Sequence, residues 1–244
     1  GSAQPNPPVP NPRYLSFDSF LSFRMNETDV RVYVPQDGGH KEIKLNKTQA
    51  KRLQDWLAQR GIRSLLTREP GGTVEAEEIR RLLIDGPSER WDPLTETLLN
   101  FAARRIHLDR AILPALAAGK WVICDRFADS TMAYQGYGQG VDRAKLALLH
   151  DLAVGDAAPH LTLILDIPVA EGFDRTVSRP GKTSRYERMN STMHERLRQG
   201  FLAIAAAEPE RCRVLDALGS AESIHEAVWQ LVCERFNLET QADG

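Results

Sequence analysis

The chain has 244 residues, and 31 Lys and Arg against 33 Asp and Glu leave a formal net charge of −2. Its 42% hydrophobic content suffices to bury the core of one large domain, which excludes global disorder. The small net charge excludes a general electrostatic claim on nucleic acid or anionic lipid, leaving only local basic patches. No apolar run nears the roughly 18 residues of a membrane span; the strongest, Leu161 to Leu165, stops at Asp166. Cys124, Cys212 and Cys233 lack metal-ligand spacing, so reduced structural thiols in the cytoplasm are expected.

In chain order, residues 1–12 carry Pro5, Pro7, Pro8, Pro10 and Pro12 and read as a poorly ordered tail ahead of one domain over 13–235. The first strand is Tyr14 to Phe17. Residues 30–45 then alternate Val30, Val32 and Val34, turn at Pro-Gln-Asp-Gly-Gly, and continue with Ile43 and Leu45, which predicts a β-hairpin inside an insert over 19–46. Ala50, Leu53, Trp56 and Leu57 share one face of a helix from about Lys47 to Arg60. Strands follow at Ser64 to Thr67, Trp121 to Cys124, Leu161 to Ile167 and Cys212 to Leu215, continuous apolar runs of the kind buried on both faces.

Asp92-Pro93 predicts a capped helix running through Leu98, Phe101 and Ile112, with a kink at Pro114. Leu146, Leu149 and Leu152 mark another helix; Met193, Leu197, Phe201 and Ile204 the next; Ile224, Val228, Leu231 and Val232 the last. Residues 236–244 read as a flexible end. Strands alternating with helices predict an α/β fold with a five-stranded parallel sheet, helices on both faces and an inserted hairpin.

In such sheets ligands bind beyond the carboxyl ends of the strands. Three segments there carry suitable chemistry. Thr67-Arg68-Glu69-Pro70-Gly71-Gly72-Thr73 sets an arginine fork beside glycines that let backbone approach an anion, although the same residues suit a structural turn. Asp125-Arg126 suits a site handling metal and phosphate together, or an ordinary surface ion pair. The basic stretch Ser178 to Arg188, with Arg179, Lys182, Arg185 and Arg188 around Pro180-Gly181, suits a lid over 178–190 that closes on phosphates, a solvated face or a nucleic-acid patch.

TREPGGT at 67–73, FAAR at 101–104, PALAAGKWVICDRF at 114–127, DSTMAYQGYGQG at 129–140 and RYERM with HERLRQGF at 185–201 resemble bacterial thymidylate kinase, in the same order and spacing. The resemblance implies the three-layer P-loop nucleoside monophosphate kinase fold, homodimers, and transfer of the γ-phosphoryl of Mg-ATP to dTMP. It implies that Phe101 stacks on thymine and Arg104 reads its polar edge. Arg68 and Arg126 would hold the acceptor phosphate, with Ser130, Tyr134 and Gln135 against sugar and base. Asp125, Arg126, Arg179 and Arg185 would act in catalysis if the chain is active, and only then are Mg2+ and ATP expected.

The sequence departs from that family where the donor phosphates sit. A G-x-x-x-x-G-K-[S/T] loop should follow the first strand, but residues 19–46 hold the insert, leaving Asp18, Lys47 and Thr48 as a remnant without a glycine cradle. The family's Gly-Arg-Gly after Tyr-Gln-Gly is here Gly138-Gln139-Gly140, which removes a positive charge, and Ser184 and Asn190 replace acids in the lid. The expected function is binding of dTMP or a related nucleotide, with conventional phosphorylation of dTMP absent or very slow. The alternatives are an active dTMP kinase with an unconventional donor site and an interaction protein that recruits a partner through hairpin 30–45.

Overall fold

The computed structural model describes residues 14–18, 31–36, 39–44, 49–87, 89–171 and 191–238, the first three segments as backbone apart from Leu15. The insert remnants Lys47 and Thr48, the lid with Arg179 and Arg185, and the Pro-rich tail expected from the sequence lie outside the described residues, as does the side chain of Asp18.

Five parallel strands form one sheet in the order β4-β5-β1-β6-β7: β1 is Tyr14–Asp18, β4 Ser64–Arg68, β5 Trp121–Asp125, β6 Leu161–Asp166 and β7 Cys212–Asp216. The interior strand β5 explains why these runs are apolar throughout. Its five residues are all buried, and alternate side chains face opposite sides. Trp121 and Ile123 pack in a cluster with Leu53, Phe201 and Val228, while Val122 and Cys124 pack in another with Phe101, Leu108 and Leu146. A strand covered on both faces has no reason to alternate with polar residues.

The helices are α1 Gln49–Gln59, α2 Val74–Ile84, α3 Pro93–His107, α4 Leu113–Ala117, α5 Ala128–Thr131, α6 Arg143–Ala153, α7 Ser191–Ala207 and α8 Ala221–Phe236. Asp92 caps α3 by accepting from Leu94 and Thr95 amides, and Pro93 follows at the first helical position. The kink expected at Pro114 is a π-turn over Leu108–Ile112, where the Leu113 amide donates to the Leu108 carbonyl. A proline cannot supply the regular bond, and the widened turn absorbs the loss.

Leu98 on α3 and Leu152 on α6 are 49% and 82% exposed. The last helix passes the boundary expected at 235: Phe236 packs edge-on against Trp121, 5.0 Å between ring centres, before Asn237 turns left-handed and ends α8.

Residues 31–36 and 39–44 form β2 and β3, an antiparallel pair separate from the main sheet. In its register Val32 pairs with Ile43 and Val34 with Lys41. Among the described residues no helix is long and apolar enough to cross a membrane.

Candidate nucleotide site at the carboxyl ends of β4 and β5

Strand register sets Arg68 level with Asp125, and Asp125 level with Phe17 of β1. The sheet reverses its winding at β1, so this edge is where a ligand crevice belongs. Asp125 and Arg126, adjacent in sequence, are both buried. Burial pushes the Asp125 carboxyl up to about 6, against the opposing pull of Arg126, Arg80 and Arg68. Arg126 sits at φ +66°, a left-handed conformation that costs a non-glycine residue energy and is retained mostly at functional sites. Its guanidinium donates to Ser130 Oγ at 3.1 Å and lies 5.2 Å from the Tyr134 ring centre.

The loop after β4 closes on a carboxylate of its own chain. Glu77 Oε1 accepts from Arg68 Nη2 at 3.1 Å and from the Gly72 amide at 3.0 Å. Arg80 Nη1 donates to the Pro70 carbonyl at 2.6 Å, across a cis Glu69–Pro70 bond. Burial, then the charge of Arg68, lowers the Arg80 pKa. Three guanidinium groups, Arg68, Arg80 and Arg126, thus face Glu77 and Asp125, an excess of positive charge suited to an anionic ligand. Gly72 is required on two counts. Its φ is +88°, and a Cβ there would lie 2.4 Å from His107 Nε2 and 2.6 Å from Thr67 Oγ1.

Helix α3 forms the adjoining wall with a buried stripe that is polar. Glu96, Arg104 and His107 recur at helical spacing and are all buried, while Leu94 and Leu98 are exposed. Arg104 Nε donates to Glu69 Oε2 at 2.7 Å, and its Nη2 donates to Thr131 Oγ1 at 2.9 Å and the Phe127 carbonyl at 3.2 Å. His107 Nδ1 meets the other Glu69 oxygen at 3.0 Å, and its Nε2 meets Thr67 Oγ1 at 2.7 Å. The Arg104 guanidinium lies 5.0 Å from the Phe101 ring centre and 5.3 Å from that of Phe127. At the other end of the stripe, Glu96 Oε1 accepts from Gln135 Nε2 at 2.7 Å and Gln139 Nε2 at 3.2 Å.

Arg68, Asp125, Arg126, Ser130 and Tyr134 therefore meet at one strand edge, and Phe101 with Arg104 joins them through Phe127 and Thr131. Gln135 is turned onto Glu96. Sequence reasoning missed Glu69, Arg80, Glu96, His107 and Thr131. The available signal was acid and base at positions of α3 where a core-facing stripe should be apolar, alongside leucines on the opposite face. Gln139, read as a lost positive charge, has its amide held by Glu96. Among the described residues, Arg104 Nη1 and Arg68 Nε are buried donors without a hydrogen-bond partner. Groups of three His, Cys, Asp or Glu able to hold a metal ion are absent among the described residues.

The thymidylate kinase family model matches residues 47–228. The thymidylate kinase of Caulobacter vibrioides is 47% identical over 191 residues, covering 78% of this chain and 91% of that relative. That of Afipia carboxidovorans is 43% identical over 206 residues, covering 84% and 90%. A crystal structure of thymidylate kinase from Ehrlichia chaffeensis superposes with a TM-score of 0.63 at 32% identity, over 91% of this chain and 99% of that one. With a buried arginine wall at the switch point of an α/β sheet and these relatives over most of its length, the chain belongs to the thymidylate kinase family and has its P-loop kinase fold.

Proposed function

We propose that the chain binds dTMP at the carboxyl ends of β4 and β5, and that its ATP-dependent conversion of dTMP to dTDP is slow. The observation that carries the first part is Arg104. Its guanidinium is anchored through two nitrogens beside the Phe101 ring, and the third, Nη1, is buried without a partner. A pyrimidine stacked on Phe101 and offering a carbonyl oxygen to Nη1 would satisfy that donor, which is otherwise costly to leave unpaired. Arg68 and Arg126 then hold the 5′-phosphate, with Ser130, Tyr134 and Gln135 along sugar and base.

The second part rests on sequence. Between Asp18 and Gln49 the glycines are Gly38 and Gly39, and no G-x-x-x-x-G-K-[S/T] string occurs anywhere in the chain. Phosphoryl transfer relies on positioning and preorganised donors, and losing one strong donor alone costs on the order of 10²- to 10³-fold in rate. Lys47 and Thr48 with the lid residues Arg179 and Arg185 supply charge but no cradle. We further propose a homodimer, supported by the exposed Leu94 and Leu98 of α3 and Leu148 and Leu152 of α6.

Calorimetry with dTMP tests the binding, which should weaken strongly in Arg126→Ala; no heat with dTMP or its close analogues overturns it. A coupled assay with ATP, Mg2+ and dTMP tests the rate. Turnover at ordinary kinase rates, about 1 to 100 per second, establishes instead a working dTMP kinase with an unconventional donor site.

A further inference from the structure

Glu96 is fully buried on α3, and nothing in the reading of the phosphate or the ring stack uses it. A buried carboxylate is costly unless it is hydrogen-bonded, and this one accepts from two glutamine amides, Gln135 at 2.7 Å and Gln139 at 3.2 Å. Both glutamines present Nε2 to the same Glu96 oxygen, Oε1, so the amide nitrogen of each is turned toward the acid. For Gln135, itself buried, the group turned away from Glu96 is the carbonyl oxygen, an acceptor. The helix that carries Glu96 also carries Phe101 and Arg104, so ring platform, donor and amide orientation all depend on one rigid element.

We propose that Glu96 is a positioning residue that sets nucleobase selectivity by fixing the Gln135 amide. Resting on the dTMP-site reading above, this places a donor, Arg104 Nη1, and an acceptor, Gln135 Oε1, at the polar edge of the bound base. Thymine and uracil present an N–H at ring position 3 beside a carbonyl oxygen and match that pair. Cytosine presents an unprotonated ring nitrogen beside an amino group, so acceptor would face acceptor and donor would face donor. Selectivity of this kind arises from the mismatch built against the wrong base as much as from contacts to the right one. The Gln139 amide on the same carboxylate oxygen holds Glu96 from the second side. A positive charge at position 139 is thus not needed to keep the acid in place.

The test measures equilibrium binding of dTMP, dUMP and dCMP to the full chain and to Glu96→Gln, Gln135→Met and the double variant. Glu96→Gln keeps the shape but can donate, which frees the Gln135 amide to flip. The expected result is a preference for dTMP over dCMP that falls about tenfold or more in Glu96→Gln, with dUMP following dTMP. In the Gln135→Met background the added Glu96→Gln change should have no further effect on that preference. A preference unaltered by Glu96→Gln, or altered equally in both backgrounds, overturns the proposal. If Glu96→Gln does not fold, Gln135→Met alone decides, since an unchanged preference there removes the amide that Glu96 is held to orient. Wild-type chain that binds none of the three nucleotides overturns the dTMP-site reading itself, and this inference with it.

Discussion

Two arginines in this molecule, Arg104 buried and Arg211 half-buried, are built from the same chemistry and left in different states. Arg211, just ahead of β7, has all three nitrogens engaged: Nε on Glu208 at 2.8 Å, Nη1 on Asp129 at 2.7 Å and Thr162 at 2.8 Å, and Nη2 on the other Asp129 oxygen at 2.8 Å. Arg104 is more deeply buried, yet its Nη1 has no partner. Both pairs bear the desolvation cost of a buried charge, which a carboxylate partner offsets only when the remaining donors are also satisfied. A closed guanidinium ties a helix to a strand. In the dTMP site proposed above, the open one is the group that takes an acceptor from the ligand.

The sharpest way to break this comparison is Arg211→Met. It leaves Asp129 buried without its charge partner, and stability should fall by about 3–5 kcal/mol in urea denaturation, while the folded variant binds dTMP as wild type does. A lost affinity at wild-type stability would reverse the roles assigned to the two arginines.

A second effect of nearly that size comes from Asp125. Its folded pKa of about 6 lies above the ordinary 3.8, so the proton binds the folded state more tightly. The contribution is therefore full below about pH 4 and is lost as pH rises through 6. Relative to Asp125→Asn, the wild-type chain should lose on the order of 3 kcal/mol of stability between pH 4 and pH 7. Denaturation of both chains across that range checks it, and a flat difference would mean that Asp125 is not held against its charge.

Arg104→Lys sharpens the comparison from the other side. The charge beside Glu69 survives, but the planar fork to Thr131 and the Phe127 carbonyl does not. Affinity for dTMP should drop about 10- to 100-fold, as expected for a charged hydrogen bond of roughly 1.5–3 kcal/mol, with a smaller stability loss than in Arg211→Met. Calorimetry and denaturation on the same preparation separate the two quantities.

The smallest effect is reserved for Thr67→Val, which removes the hydroxyl that meets His107 Nε2 behind Glu69. It should cost about 1 kcal/mol, read as a small fall in melting temperature. No change would show that His107 is oriented by Glu69 alone.

Much of the scaffold is written in local pattern. Strand β5 is apolar at four consecutive residues because both of its faces are covered, and Asp92-Pro93 starts α3 because a side-chain acceptor and a missing N–H suit a helix start. Arg68, Asp125 and Arg126 could be named as candidate site residues because strand ends are where α/β sheets bind ligands, and the family resemblance set Phe101, Arg104 and Gln135 beside them. None of this required a contact across the chain. Leu98 and Leu152 show the limit of such patterns: period reports an apolar position on a helix, while exposure depends on which neighbours arrive.

What only the tertiary structure decided is the state of each charged group. Glu69 and Arg104 lie 35 residues apart, and Glu96 and Gln135 lie 39 apart. Neither pairing follows from helical or strand periodicity. Burial removes the water that would otherwise make such partners interchangeable, so a carboxylate must be matched to a particular donor at a particular distance. Sequence by itself supplied the arginines, the acids and the sheet that gathers them. Packing across 30 or more residues selected which arginine is closed by its partners and which keeps an unpaired donor.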